Sequence, residues 1–86
     1  MDADETILFP LMGEKATLLR EKTNSLTFAV NPKATKSDIK NAVESLFNVE
    51  VEKVNTMKTL KGRKKAHVKL TEKYFAEEVA SHMGVI

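Results

Sequence analysis

Hydrophobic residues change their spacing along the chain in a way that predicts both strands and helices. A short apolar run at 7–9 stops at Pro10 and indicates a brief strand or an extended anchor. Apolar and polar residues alternate over 26–31, which predicts a half-buried strand ended by Pro32. Over 39–47 the apolar residues instead recur every three or four positions, which is typical of an amphipathic helix.

Capping signals support two helices in the first half of the chain. Gly13 is an acceptable N-cap and Glu14 suits the positive end of a helix that we predict over 13–22. Thr35 should cap the second helix, and Asp38 can return a capping-box bond. The apolar residues expected on one face of the first helix are Met12, Ala16 and Leu19. Those expected in the stripe of the second helix are Ile39, Ala42, Val43, Leu46 and Phe47.

The second half of the chain predicts a hairpin and a final helix. A strand begins at Val49 and Val51, and its apolar phase slips at Val54, so we expect a bulge near Lys53. The returning strand should point Ala66, Val68 and Leu70 inward and Lys65, His67 and Lys69 outward. The last helical stripe would consist of Phe75, Ala76, Val79, Ala80 and Met83, with Gly84 as its C-cap. The order β-α-β-α-β-β-α indicates an α+β sandwich with a small, mostly antiparallel sheet and helices packed on it.

Positive charge is concentrated in the predicted hairpin. Residues 58–73 contain seven Lys or Arg and one Glu, a net +6, whereas the whole chain carries +2 and its remainder therefore −4. Five of these cations surround Gly62, which allows the backbone to turn with positive φ. They are Lys58, Lys61, Arg63, Lys64 and Lys65.

This cluster predicts binding to nucleic-acid phosphates. The alternative is a charged strand edge that resists aggregation, but one or two lysines usually suffice for that purpose. Phosphate binding by several cations releases counterions, which favours nucleic acid as the partner. Because no aromatic residue interleaves with the cations, base stacking is not expected, and recognition of RNA shape or backbone is favoured.

Other polar residues are candidate RNA contacts. Lys33 and Lys36 flank the start of the second helix, where cations and exposed N–H groups can hold a phosphate, although an ordinary solvated helix end is the alternative. Asn55 and Thr56 lie where an apolar strand enters the basic hairpin, and their side chains can form hydrogen bonds with the RNA backbone or sugar. The alternative is a polar pair at a bulge whose hydrogen bonds are made within the protein. The outward-facing Lys69 joins this predicted set.

Several function classes lack the residues that they need. The absence of cysteine excludes disulfides and thiolate sites, and two histidines 15 positions apart predict no metal site. With three glycines there is no phosphate loop or nucleophile elbow, so neither an enzyme nor a cofactor is expected. The length predicts a single domain over 1–86. The acidic start and the absence of a long apolar run favour a soluble, cytoplasmic protein.

An ordered set of short motifs resembles the L23 family of large-subunit ribosomal proteins over nearly the whole chain. Residues 10–15 are similar to the family's Pro-x-x-Ser/Thr-Glu-Lys, with Gly13 in place of Ser/Thr. The short turn between Thr56 and Lys64, and the absence of a long basic N-terminal extension, resemble the archaeal type. The other matching segments are 28–30, 34–40, 42–44, 47–51, 54–56, 62–66 and 78–84.

The resemblance implies a protein that binds 23S rRNA beside the exit of the polypeptide tunnel. It also implies a neighbouring protein of the L29 family and a docking surface for the signal recognition particle or the protein translocon. Glu14 matches the family's docking acid, and Lys15 beside it would face RNA; the alternative for Glu14 is an acid that suits a helix start.

Two other functions remain open from the residues themselves. One is a free-standing RNA-binding or protein-interaction module of similar fold, and the other is an adaptor that binds proteins through the acidic remainder of its surface. Salt dependence separates these functions, because RNA binding through several phosphates weakens steeply as the salt concentration rises.

Overall fold

A computed structural model describes residues 1–59 and 61–82. The helices and strands are α1 (Ala3–Thr6), β1 (Ile7–Pro10), α2 (Glu14–Thr23), β2 (Ser25–Val30), α3 (Lys36–Phe47), β3 (Val51–Lys58), β4 (Lys64–Leu70) and α4 (Ala76–His82). The four strands form one sheet in the order β1-β2-β4-β3, and every neighbouring pair is antiparallel. The predicted α+β fold is confirmed, and α1, which packs against α3, is an additional element that the sequence pattern did not indicate.

One face of the sheet packs against α3 to make the core. The predicted inward residues of β2, Leu26, Phe28 and Val30, are all buried, but Ser25 and Thr27 on the other face are buried as well, so the strand is not half-buried as predicted. The ring of Phe28 stacks on that of Phe47 with centroids 5.6 Å apart, which fixes the last turn of α3 over the sheet. The remaining fully or nearly buried apolar residues of this layer include Ile39, Ala42, Val43, Val51, Val54, Ala66, Val68 and Leu70.

Local signals explain most element boundaries. Thr35 and Asp38 close the predicted capping box at the start of α3, and the register of β3 shifts between Val51 and Lys53, where the bulge was expected. Asn24 ends α2 in the left-handed conformation. Its side chain accepts the N–H of Ala76 at 2.7 Å and thereby joins the end of α2 to the start of α4.

Some predicted core positions are wrong. Met12 and Phe75 precede the first residues of α2 and α4, so neither belongs to a helical stripe, and Phe75 is 65% exposed. Leu46 is also exposed, because Phe47 occupies the end of the stripe. In α2 the buried positions are Ala16 and Arg20, and the Arg20 Nε lies 3.2 Å from the Glu77 carboxylate of α4. The expectations for Met83 and Gly84 lie outside the described residues.

Candidate nucleic-acid interface

The hairpin between β3 and β4 is closed by a short turn. Lys58 and Lys64 are partners in the ladder, and beyond them the Thr59 N–H donates to the Arg63 carbonyl at 2.8 Å. The Gly62 N–H donates back to the Thr59 carbonyl at 3.1 Å, and Gly62 has a φ of 74°, the conformation expected of a turn glycine. The backbone therefore gathers the predicted cations at one tip.

The hairpin cations are not neutralised by carboxylates within residues 1–59 and 61–82. Lys58, Lys61 and Arg63 are exposed, and Lys64 and Lys65 are half-buried. The three ion pairs of the described chain join Arg20 to Glu77, Lys69 to Glu52, and Lys73 to Glu50. The charge of the hairpin tip is consequently available to an anionic partner.

Lys64 brings the hairpin next to the loop that precedes α3. Its Nζ donates to the Ala34 carbonyl at 2.6 Å. Lys33 and Lys36, both exposed, lie within two residues of Ala34. Two candidate phosphate sites that are separate in the sequence are thus parts of one surface. We call it the cationic surface and define it as Lys33, Lys36, Lys58, Lys61, Arg63, Lys64 and Lys65.

The capping box limits how the start of α3 can bind a phosphate. The Thr35 Oγ1 accepts the Asp38 N–H at 3.1 Å, and the Asp38 carboxylate accepts the Thr35 N–H at 3.0 Å. The hydrogen bond from the Thr35 N–H to the carboxylate, and next the Thr35 side chain, hold the pKa of the Asp38 carboxyl below its usual value. The N–H groups of Thr35 and Asp38 are therefore already used, and the capping box leaves the N–H groups of Lys36 and Ser37 and the side chains of Lys33 and Lys36 to hold a phosphate here.

The sheet face that points away from α3, here called the outer face, carries a row of polar side chains. The register aligns Thr27, His67 and Asn55 across β2, β4 and β3. The Thr27 Oγ1 lies 2.9 Å from the His67 Nδ1. Burial, and next the positive charges of Lys65 and Lys15, lower the pKa of His67. Lys15 therefore lies close enough to this face for its charge to act on His67.

The structure separates the other predicted site residues. Thr56 pairs with Ala66 and is half-buried on the α3 side, whereas Asn55 is exposed on the outer face. Lys69 lies towards the far end of β4 and bonds the Glu52 carboxylate at 3.3 Å. Glu14 is the exposed first residue of α2, where Gly13 supplies no side-chain cap.

Charge is distributed differently at the two ends of the molecule. A groove at the end opposite the hairpin tip is lined by Glu21, Glu52, Glu72 and Glu77 and also by Arg20 and Lys22. Lys69 also lines this groove, so its charge is offset by neighbouring acids. Acids and cations are therefore mixed at this end, whereas the described residues of the hairpin tip include cations and no acid.

The structure adds apolar residues that the sequence analysis did not associate with the hairpin. Phe9 of β1 pairs with Ala29 of β2, and Ala29 pairs in turn with Lys65, whose other partner is Met57. Together with Leu11 and the hairpin cations they line a groove of about 790 Å³. No aromatic residue interleaves with the cations along the sequence, but the fold brings Phe9 beside them. Only the strand order could have revealed it, because Phe9 stands far from the hairpin in the sequence.

The part of the chain that is described contains neither a metal-binding cluster nor a membrane-spanning helix. Among residues 1–59 and 61–82, no group of three or more His, Asp or Glu side chains is placed to hold a metal ion. Of the helices in the same residues, none combines the length and apolar character required to cross a membrane.

Comparison with known proteins agrees with this arrangement. A family model described as "Ribosomal protein L23" matches residues 5–78, a range that includes the whole hairpin. The protein named "Large ribosomal subunit protein uL23" of Methanococcus aeolicus is 49% identical over 85 residues, which cover 99% of each chain. The protein of the same name from Methanococcus vannielii is 51% identical with the same coverage. The chain therefore belongs to the ribosomal protein L23 family, in its archaeal type, and is a structural component of the large ribosomal subunit rather than an enzyme.

Proposed function

We propose that the chain is a single rRNA-binding domain that docks on 23S rRNA through its cationic surface. One observation carries the proposal: the cations of the hairpin tip are gathered at one end of the fold, and none of them has a carboxylate partner in the described residues. Phosphate binding there would release condensed counterions, which is the main sequence-independent source of affinity for nucleic acid. The opposite end, where acids and cations are mixed, would attract RNA less than the hairpin tip, and this difference would orient the domain.

The outer face extends this interface beyond the tip. Asn55, Lys65 and Lys15 surround His67 there, and all of them can donate hydrogen bonds to phosphate or ribose oxygens. Thr56 and Lys69 would contribute less, because Thr56 is half-buried on the other face and Lys69 is paired with Glu52. The contact would read RNA shape and backbone over most of its area.

Family membership supports a finer placement in the cytoplasmic ribosome. We propose that the domain lies beside the exit of the polypeptide tunnel, next to a protein of the L29 family. Glu14, exposed at the start of α2, would then be available to a targeting factor such as the signal recognition particle or to the protein translocon. Its carboxylate also suits the positive end of α2, so a docking role must be separated from that local effect.

The test compares two triple variants that remove the same charge from different ends of the fold. In the first, Lys58, Lys61 and Arg63 are replaced by Ala. In the second, the matched control, Lys22, Lys53 and Lys73 are replaced by Ala; all three are exposed and lie outside the cationic surface. Affinity for deproteinised archaeal 23S rRNA is measured by filter binding over a range of salt concentrations, and folding is checked by thermal unfolding.

The hairpin variant should lower the slope of log affinity against log salt by roughly 2–3, because each lost phosphate contact removes about 0.9. The control should change the slope by less than half of that. Equal slopes for the two variants would show that net charge, and not the hairpin, governs binding. If the wild-type affinity does not depend on salt, the alternative function of a protein-binding adaptor would be favoured. In a separate test, a protein that fails to cofractionate with large subunits in a sucrose gradient would refute ribosomal incorporation.

A further inference from the structure

We infer that the groove beneath the hairpin holds one unpaired base of the rRNA against Phe9, while the hairpin cations hold its flanking phosphates. The inference rests on the proposed rRNA binding and names a nucleotide subsite within it. It adds an aromatic contact to an interface that otherwise consists of cations and polar groups.

The groove is a consequence of strand order. β1 is an edge strand, so the outer-face side chain of Phe9 has a neighbour on β2 but no strand on its other side. Its side chain is left 50% exposed, and that of Met57 36% exposed. The row from Phe9 through Ala29 and Lys65 to Met57 forms the floor. The small side chain of Ala29 leaves the space between the two larger apolar ones open.

The rim of the groove has the opposite character to its floor. Lys58, Lys61 and Arg63 line the same groove as Phe9 and form its rim. An occupant must therefore offer an apolar flat surface to the floor and negative charge to the rim. An unstacked nucleotide satisfies both requirements, because its base has a π-face and its two phosphates flank it. The groove volume of about 790 Å³ lies within the range of pockets that bind small organic molecules.

The chain contains a second exposed aromatic residue that serves as a control. Phe75 is 65% exposed, and its groove is lined by four acids, Glu21, Glu52, Glu72 and Glu77, together with Arg20, Lys22 and Lys69. Arg20 and Lys69 are paired with two of these acids, so Phe75 offers the same side chain without a rim of unpaired cations gathered around it. The chain has no tryptophan, so a single Trp introduced at either position reports on that position alone.

The first experiment measures affinity for deproteinised archaeal 23S rRNA. We expect Phe9→Ala to weaken binding about 5- to 150-fold, the range for loss of one stacked base, without changing the salt slope. Phe9→Tyr should bind with nearly wild-type affinity because it keeps an aromatic ring. Phe9→Leu should bind more weakly than wild type, because leucine retains apolar area but has no ring on which a base can stack. Phe75→Ala should leave the affinity within twofold of wild type.

The second experiment uses fluorescence and does not depend on how well Phe9→Ala folds. Phe9→Trp should be quenched on addition of the rRNA, because a base stacked on indole quenches its emission. Phe75→Trp, measured in parallel with the same RNA absorbance, should retain most of its emission.

The outcomes separate the inference from the proposed function. Salt-dependent wild-type binding with equal affinity for Phe9→Ala and equal quenching of both Trp variants would overturn the base subsite alone. If Phe9→Ala binds free rRNA normally but fails to enter large subunits, the groove holds a protein, and the inference is wrong. Wild-type protein that does not bind rRNA would overturn both proposals together.

Discussion

Lys64 should contribute to folding stability and to RNA binding at the same time, which distinguishes it from the other hairpin cations. Its Nζ donates to the Ala34 carbonyl at 2.6 Å in a half-buried position. A hydrogen bond from a charged donor contributes about 1.5–3 kcal/mol when it is well shielded. Water reaches this site, so we expect Lys64→Met, which keeps the apolar stem, to cost about 1 kcal/mol. An ammonium has three donors, so the remaining ones can still contact a phosphate.

Thermal unfolding and salt-dependent RNA binding measure the two contributions separately. A loss of about 1 kcal/mol corresponds to a Tm lower by roughly 4–8 °C for a domain of this size. The salt slope for rRNA should also fall by about 0.9, the value for one phosphate contact. Lys61→Met is the matched control, since Lys61 is exposed in the turn and should lower the slope without changing Tm. Identical Tm values for the two variants would refute the stabilising role of the Ala34 contact, and an unchanged slope for Lys64→Met would remove Lys64 from the interface.

Three further substitutions should change stability or binding in different directions. Lys36→Glu places an acid in the first turn of α3, so the Tm should stay equal or rise. Its incorporation into large subunits, measured in competition with the wild type, should fall because the acid repels phosphate. Normal incorporation would exclude Lys36 from the interface. Glu14→Ala should leave subunit assembly intact and weaken signal recognition particle binding to the ribosome by up to about tenfold; equal affinities would leave Glu14 as a helix-start acid only. The lowered pKa of His67 means that the unfolded chain binds a proton more readily, so stability is expected to fall as the pH drops below about 6.5. His67→Gln should reduce the difference in Tm between pH 7.5 and pH 5.5, and an unreduced difference would assign that pH dependence to other groups.

The sequence alone predicted the features that depend on neighbours along the chain. The capping box of Thr35 and Asp38, the turn at Gly62 and the inward face of β2 all follow from patterns within a few residues. The concentration of cations in the hairpin is also local, since the cations lie on both sides of one turn. For these reasons the amino-acid sequence was sufficient to predict the α+β fold, the basic hairpin and the family resemblance.

Burial at the ends of elements depended on packing that the sequence does not encode locally. Periodicity put Phe75 in the last stripe, but α4 begins one residue later, and the Ala76 N–H is held by Asn24 at the end of α2. Arg20 is buried because its guanidinium meets Glu77 of α4. Both contacts join residues more than 50 positions apart, and the hydrophobic pattern of either segment gives no sign of them.

The composition of the candidate interface was likewise decided by tertiary structure. Strand order places Phe9 on the floor of a groove rimmed by hairpin cations, although 49 positions separate Phe9 from Lys58 in the sequence. The contact of Lys64 with Ala34 joins the hairpin to the start of α3. Charge and turn geometry are properties of a segment and can be read from it. The neighbours of an edge strand are set by which strands pair, and that pairing depends on burial of the whole core.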